Sequence, residues 1–360
     1  MTLDLGPLVD HHCHGLVTTD LDRAGFESLM NEAAQASTLG TTLFDSMLGL
    51  AIRRHCAPLL DLEPLAPADD YLARRTALGA AEVNRRMLAA AGIAEFLVDT
   101  GLGEDVLCGP SDLAAVSGGA AREVVRLERV AEKALQAGTT DFVGDVKQRL
   151  RESGAVGAKS IAAYRVGLEL PGTKPTANEL DRALAGASPL RLESPVVSAW
   201  LAYTAIELGL PLQFHVGYGD SDLDLLACDP LRLTPFLRAT EGSGVPVLLL
   251  HNYPFHRNAA YLAQVFDHVF LDLGLATHNT GALSVTLLRE ALELAPFGKL
   301  LFSSDAYGLS ELFLLGALLF RDAMSSVLGD LVAAGDMTDA DAAYVGSLVA
   351  RDNARRAYAL

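Results

Sequence analysis

Val9-Asp10-His11-His12-Cys13-His14-Gly15 carries an apolar run directly into three imidazoles. Residues two apart on a β-strand point to the same side, so His12 and His14 can converge on one cation while His11 and Cys13 face away. Neutral imidazole is a common donor to zinc and related divalent ions, and two such donors at one strand end make half of a metal site. Three later apolar segments also end in residues that a metal accepts: Gln213-Phe214-His215, Leu249-Leu250-His251 and Phe302-Ser303-Ser304-Asp305. Taken singly, each has an ordinary explanation. A buried histidine is commonly a hydrogen-bonded core residue, and an aspartate after a strand commonly caps a helix. Their coincidence at four segment ends points to one shared cation, provided that the fold gathers those ends together.

The elements that must do this alternate along the chain. Short β-branched or apolar runs recur between longer Ala/Leu/Arg/Glu-rich stretches of helical period, the signature of an α/β protein with a parallel sheet. Eight strands are expected: Leu8–His12, Glu95–Asp99, Glu123–Leu127, Val156–Ile161, Leu212–Val216, Val245–His251, Val269–Leu273 and Leu300–Ser304. That number favours a (β/α)8 TIM barrel, which brings the C-terminal ends of its strands to one mouth. The longest gap, about 19–91, predicts a helical insertion after the first strand, with helices around Ala24–Ser37, Leu43–Leu59 and Tyr71–Ala91. Such an insertion can wall the mouth and offer Arg53, Arg54 or His55 to a substrate, although charged helix residues ordinarily lie on a solvated face. Residues 1–360 read as a single barrel domain, closed by C-terminal helices over about 309–360.

Composition narrows the function classes. With 360 residues, half of them hydrophobic, the chain can bury a large core. A formal charge of −17 repels a phosphate backbone or an anionic membrane, so nucleic acid and membrane partners are not expected. Cys13, Cys56, Cys108 and Cys228 are scattered with no C-x-x-C pair, which reads as a reduced, cytoplasmic protein. No signal or transit segment is expected at the N-terminus, and the apolar stretch Leu312–Leu319 is stopped by Arg321 and Asp322 before it can span a bilayer.

On these residues the sequence resembles the amidohydrolase superfamily, whose pattern is H-x-H after the first strand, His after the fifth and sixth, and Asp after the eighth. His12, His14, His215, His251 and Asp305 match it. The close Asn353-Ala354-Arg355-Arg356-Ala357-Tyr358 looks like the Asn-Ala-x-x-x-Tyr ending of the amidohydrolase-2 branch, and Gly157 to Arg165 looks like a segment of the amidohydrolase-like domains associated with glutamine synthetase-like proteins.

Lys159 stands in an apolar strand, where an ammonium is costly unless it is paired or modified. The resemblance implies a solution, a lysine carboxylated by carbon dioxide that bridges two ions. His12, His14 and Asp305 would then hold one ion and His215 and His251 the other. The alternative is one ion on His12, His14, His215 and Asp305, with His251 as an acid/base or electrophilic partner; the burial cost of Lys159 favours the two-ion version. The cofactor expected is one or two divalent ions, zinc first. The activity implied is hydrolysis of an amide-type C–N bond in a small molecule by a metal-activated water, with a γ-glutamyl amide suggested by the glutamine synthetase association. Asp305 and His251 are the expected catalytic residues, and Tyr164 and Arg165 are the expected substrate contacts. Glu128 and His278 are further residues that can line the mouth. Non-oxidative decarboxylation and a non-catalytic, metal-stabilised regulatory barrel are the other readings, and a homo-oligomer is allowed.

Overall fold

A computed structural model describes residues 3–33 and 38–360. Seven strands form one curled parallel sheet in sequential order: β1 (Leu8–Cys13), β2 (Ile93–Asp99), β3 (Ala120–Arg126), β4 (Gly157–Ser160), β5 (Leu212–Val216), β6 (Val247–His251) and β7 (Val269–Leu271). The eighth expected strand, Leu300–Ser304, is not a regular strand. Leu300 bridges to Leu271, Leu301 N donates to Leu271 O at 2.9 Å, and on the other side His11 N donates to Phe302 O at 3.3 Å. The ladder breaks because other partners take the remaining amides: Phe302 N donates to Val349 O at 3.1 Å and Ser304 N to Asp10 Oδ1 at 2.8 Å.

Every second residue of the strands faces inward. Val9, Leu97, Val124, Leu248, Phe270 and Leu301 form an inner cluster plugged by Tyr358, whereas Leu8, Phe96, Val125, Ala158, Leu212 and Phe214 pack outward. The outward set lies against the helical layer, and both faces are therefore dry. Continuing the inward period toward the C-terminal ends leads to Asp99, Arg126, Lys159 and His215.

Between β1 and β2 the chain forms helices at Arg23–Ser28, at Met47–Ala51 running on through Ile52–Cys56 and Ala57–Leu60, and at Ala68–Leu78 and Ala80–Ala91. The first is shorter than its apolar period suggests, because Ser28, Asn31 and Glu32 turn into the wall of a cavity; Ala34–Ser37 lie outside the described residues. The expected Tyr71–Ala91 helix is divided at Gly79, whose φ of 79° is open to glycine and strained for other residues. Arg53 is occupied by the carbonyls of Ala66 and Leu65, at 2.7 and 2.8 Å.

Beyond β7 the longest helix, Ser310–Ala334, continues past Arg321 and Asp322. By length and composition alone it could cross a membrane, but 67% of its most apolar window is buried inside the protein. Its buried Glu311 takes hydrogen bonds from Arg75 Nε at 2.8 Å and Tyr71 Oη at 2.9 Å, tying it to the β1–β2 helices. The helices Asp339–Ser347 and Asn353–Tyr358 end the chain.

Candidate active site

The C-terminal ends of the strands bring the expected metal-binding residues to one place. His12 Nε2 lies 3.0 Å and His14 Nε2 3.4 Å from Asp305 Oδ1, while His251 Nδ1 lies 3.2 Å from Asp305 Oδ2. Lys159 Nζ is 3.2 Å from His12 Nε2. The His215 ring stands 4.6 Å from that of His251, centroid to centroid. His11 does not face away as strict alternation predicts. The pairing of β1 with β2 is irregular between Asp10 and Cys13, and this keeps both His11 and His12 on the buried inner side. Cys13 does face outward, with its thiol on Leu97 O.

Proton positions follow from the partners. His14 Nδ1 is 3.1 Å from the main-chain oxygen of Asp99, which can only accept, so in the neutral ring the proton sits on Nδ1 and the Nε2 lone pair points at Asp305. His12 Nδ1 meets Gln213 Oε1 at 2.9 Å, with the same result. Two imidazole lone pairs and a carboxylate oxygen therefore face one another with no hydrogen between them; among the described residues His215 Nε2 has no hydrogen-bond partner, and His251 Nδ1, although 3.2 Å from Asp305 Oδ2, makes no hydrogen bond there. A divalent cation fits this donor set, and the ligand atoms of His12, His14 and Asp305 all lie within 4.8 Å of one another.

Electrostatics agree. Burial, then the Lys159 cation, pushes His12 down to about 4 and His215 down to about 3, so both rings are neutral donors near pH 7. Burial alone would raise the Asp305 carboxyl, yet it lies well below its usual range and stands ionised among the imidazoles. Lys159 is lowered to about 8, chiefly by burial.

Two of these residues sit on left-handed backbone, His251 at φ 70° and Asp305 at φ 48°. Such geometry costs on the order of 1–3 kcal/mol at a non-glycine residue and persists only where neighbours fix it. Asp272 Oδ1 accepts from His251 N at 2.6 Å, and Asn252 Nδ2 donates to Leu249 O and Asp272 O. Asp305 N donates to His12 O at 3.0 Å, directly after Ser304, which Asp10 holds by both its amide and its hydroxyl.

A cavity of about 480 Å³ opens over this cluster. Tyr164 and Arg165 both line it, the Tyr164 ring 4.6 Å from that of His215. Among the described residues Arg165 reaches only a marginal partner, Glu132 at 3.5 Å, and its Nε is buried with no partner. Glu128 and His278 do not line the cavity; Glu128 accepts from Ser160 Oγ and Ile161 N beneath it. Arg53, Arg54 and His55 do not line it either. Sequence reasoning missed Arg126, Glu32 and Tyr307 on its wall, and Asp99, Gln213 and Asp272 behind it. Period-2 counting from Leu97 and Val124 would have found Asp99 and Arg126; nothing local marks Glu32.

Residues 140–360 match the family model described as Amidohydrolase (Amidohydro_2). The chain belongs to the amidohydrolase family. This amidohydrolase is 30% identical to a candidate metal-dependent hydrolase from Lactobacillus casei ATCC 334 whose crystal structure superposes with a TM-score of 0.86, covering 99% of this chain and 96% of that one. It is 33% identical over 238 residues to Protein fluG of Emericella nidulans, a match to 61% of this chain but only 27% of that protein's length. The amidohydrolase also shares its fold with a uronate isomerase from Bacillus halodurans C-125, at a TM-score of 0.61 and 13% identity over 98% of this chain and 93% of the other.

Proposed function

We propose that this amidohydrolase-family enzyme hydrolyses an amide-type C–N bond of a small molecule, with His12, His14 and Asp305 as ligands of a divalent cation, zinc first. One observation carries the reading: three electron-pair donors face each other, without an intervening proton, at the floor of a cavity large enough for a substrate. When bound, the cation supplies Lewis-acid polarisation of a carbonyl and makes water acidic near neutral pH.

The chain's own residues do the rest. Asp305 presents Oδ1 to the ligand imidazoles, and its other oxygen takes the proton of the attacking water and passes it to the leaving nitrogen. His251, held neutral by burial, stands 3.2 Å from that oxygen and polarises the scissile carbonyl or joins the ligand set. A second ion on His215 and His251 requires carboxylated Lys159 as a bridge. Its lowered value of about 8 supports this version, because carboxylation needs the neutral amine.

Arg165, with its buried unpaired Nε, is suited to hold a substrate carboxylate, and Tyr164 lies beside it. A γ-glutamyl amide would set its carboxylate there and its ammonium toward Glu32 and Asp220 on the same cavity. We also take Leu300–Ser304 as the eighth stave of a (β/α)8 barrel that forms one domain with the β1–β2 helices, since it hydrogen-bonds to both β7 and β1. Four unpaired cysteines support a cytoplasmic setting.

The test is metal analysis of protein purified without chelator, followed by product analysis on a panel of amides that includes γ-glutamyl amides. Release of an amine and an acid, dependent on the metal, is the expected result. Protein that neither carries nor takes up a divalent ion, or that releases carbon dioxide without C–N cleavage, would overturn the reading.

A further inference from the structure

Gln213 lies on β5 two residues before His215, on the same inward face, and groups of fixed polarity surround its amide. Its Nε2 donates to the main-chain oxygen of His11 at 2.9 Å and to Tyr358 Oη at 2.7 Å. The His11 carbonyl can only accept, so the amide cannot be reversed, and Oε1 is the atom that faces His12 Nδ1. Tyr358 Oη takes one hydrogen bond from Gln213 and gives its own proton to His11 Nδ1 at 3.1 Å. His11 Nε2–H is then left to donate to Asp272 Oδ2 at 2.8 Å, and Asp272 Oδ1 accepts from His251 N. Each donor in this buried chain meets one acceptor, and the polarity of the whole is determined.

We propose that Gln213, locked by Tyr358, is a positioning residue that fixes the tautomer of His12, with the proton on Nδ1, so that Nε2 always offers its lone pair to the cation. The competing state is close at hand. With no acceptor at Nδ1, a neutral His12 gains a charge-assisted hydrogen bond by placing its proton on Nε2, 3.0 Å from Asp305 Oδ1, and that proton occupies the ligand position. Gln213 Oε1 at Nδ1 opposes this alternative from one side of the ring, and Lys159 Nζ, a donor 3.2 Å from Nε2, from the other. The same chain gives a physical role to the closing residues of the sequence. Tyr358 sets the amide under His12, while Asn353, five residues earlier on the same helix, donates to Phe297 O and Leu300 O and so anchors the segment that leads to Asp305. The inference rests on the proposed role of His12 as a metal ligand.

Two readouts on the full chain test it. In metal-free protein labelled with ¹⁵N-histidine, the ring signals of His12, identified by their loss in His12→Gln, should report hydrogen on Nδ1 and a free Nε2. Gln213→Leu should move the ring toward the Nε2–H form and weaken zinc binding, measured by chelator competition, by about 10- to 100-fold. Tyr358→Phe should weaken it by about fivefold, the loss of one ordinary hydrogen bond. An unchanged tautomer and unchanged affinity in Gln213→Leu would refute the proposal. Failure of the unaltered protein to bind zinc would instead refute the metal reading, and the ¹⁵N readout would still decide whether Gln213 sets the ring.

Discussion

Arg126 places Nη2 2.6 Å from Asp99 Oδ2, and both side chains are withdrawn from solvent where β3 and β2 enter the cavity. Burial alone would push the Asp99 carboxyl up, but the Arg126 guanidinium, then His14 and Lys159, hold it well below its usual range. A depressed folded-state value means that the pair's contribution is complete above the ordinary aspartate range and is lost progressively as pH falls from that range through the lower, folded-state value. Arg126→Met leaves a buried carboxylate without its partner and should cost about 3–5 kcal/mol at pH 7. Urea unfolding at pH 7 and at pH 3 checks this, and the difference from the unaltered protein should shrink at the acid end.

Glu32 carries the opposite sign. Burial, then Asp305 and Asp220, raises its carboxyl to about 7, so the folded state holds a proton that the unfolded chain releases near 4.5. Stability from this group is present below about 4.5 and is lost as pH rises through about 7. Glu32→Gln should therefore be more stable than the parent at pH 8 and equal to it at pH 4, in metal-free protein unfolded by urea at each pH.

The cluster of candidate ligands was legible in the sequence for a reason that Glu32 was not. His12, His14, His215, His251 and Asp305 all stand at the ends of apolar runs, and a parallel sheet converts that local position into a shared location. Strand positions came through because both faces of the sheet are dry. Leu300–Ser304 read as a strand from its apolar residues, yet Asp10 and Val349 compete for its amides, and such competition is tertiary. Glu32 and Gln213 acquire their surroundings from elements far along the chain, Asp220 in one case and Tyr358 in the other. Polarity and spacing within a window carry no trace of such partners.

Asp305→Asn should abolish most turnover while leaving the fold intact. The amide keeps the shape of the carboxylate but cannot take a proton from water, and general acid–base contributions of this kind are worth about 10²- to 10⁴-fold in rate. The variant is assayed on whichever amide the parent hydrolyses, beside its circular dichroism spectrum; full activity would remove Asp305 from its assigned role.

Arg165 gives a separable effect on substrate. Among the described residues its Nε is buried without a partner, Glu132 lies at a marginal 3.5 Å, and the side chain lines the cavity. Arg165→Leu should lower kcat/KM by about 10- to 100-fold, the loss of hydrogen bonds to a charged group, on substrates that bear a carboxylate. Arg165→Lys should restore little, because a point charge does not reproduce the planar fork. The same substitutions should leave hydrolysis of a carboxylate-free amide unchanged. Equal losses on both substrate types would assign Arg165 to the cavity rim and not to carboxylate recognition.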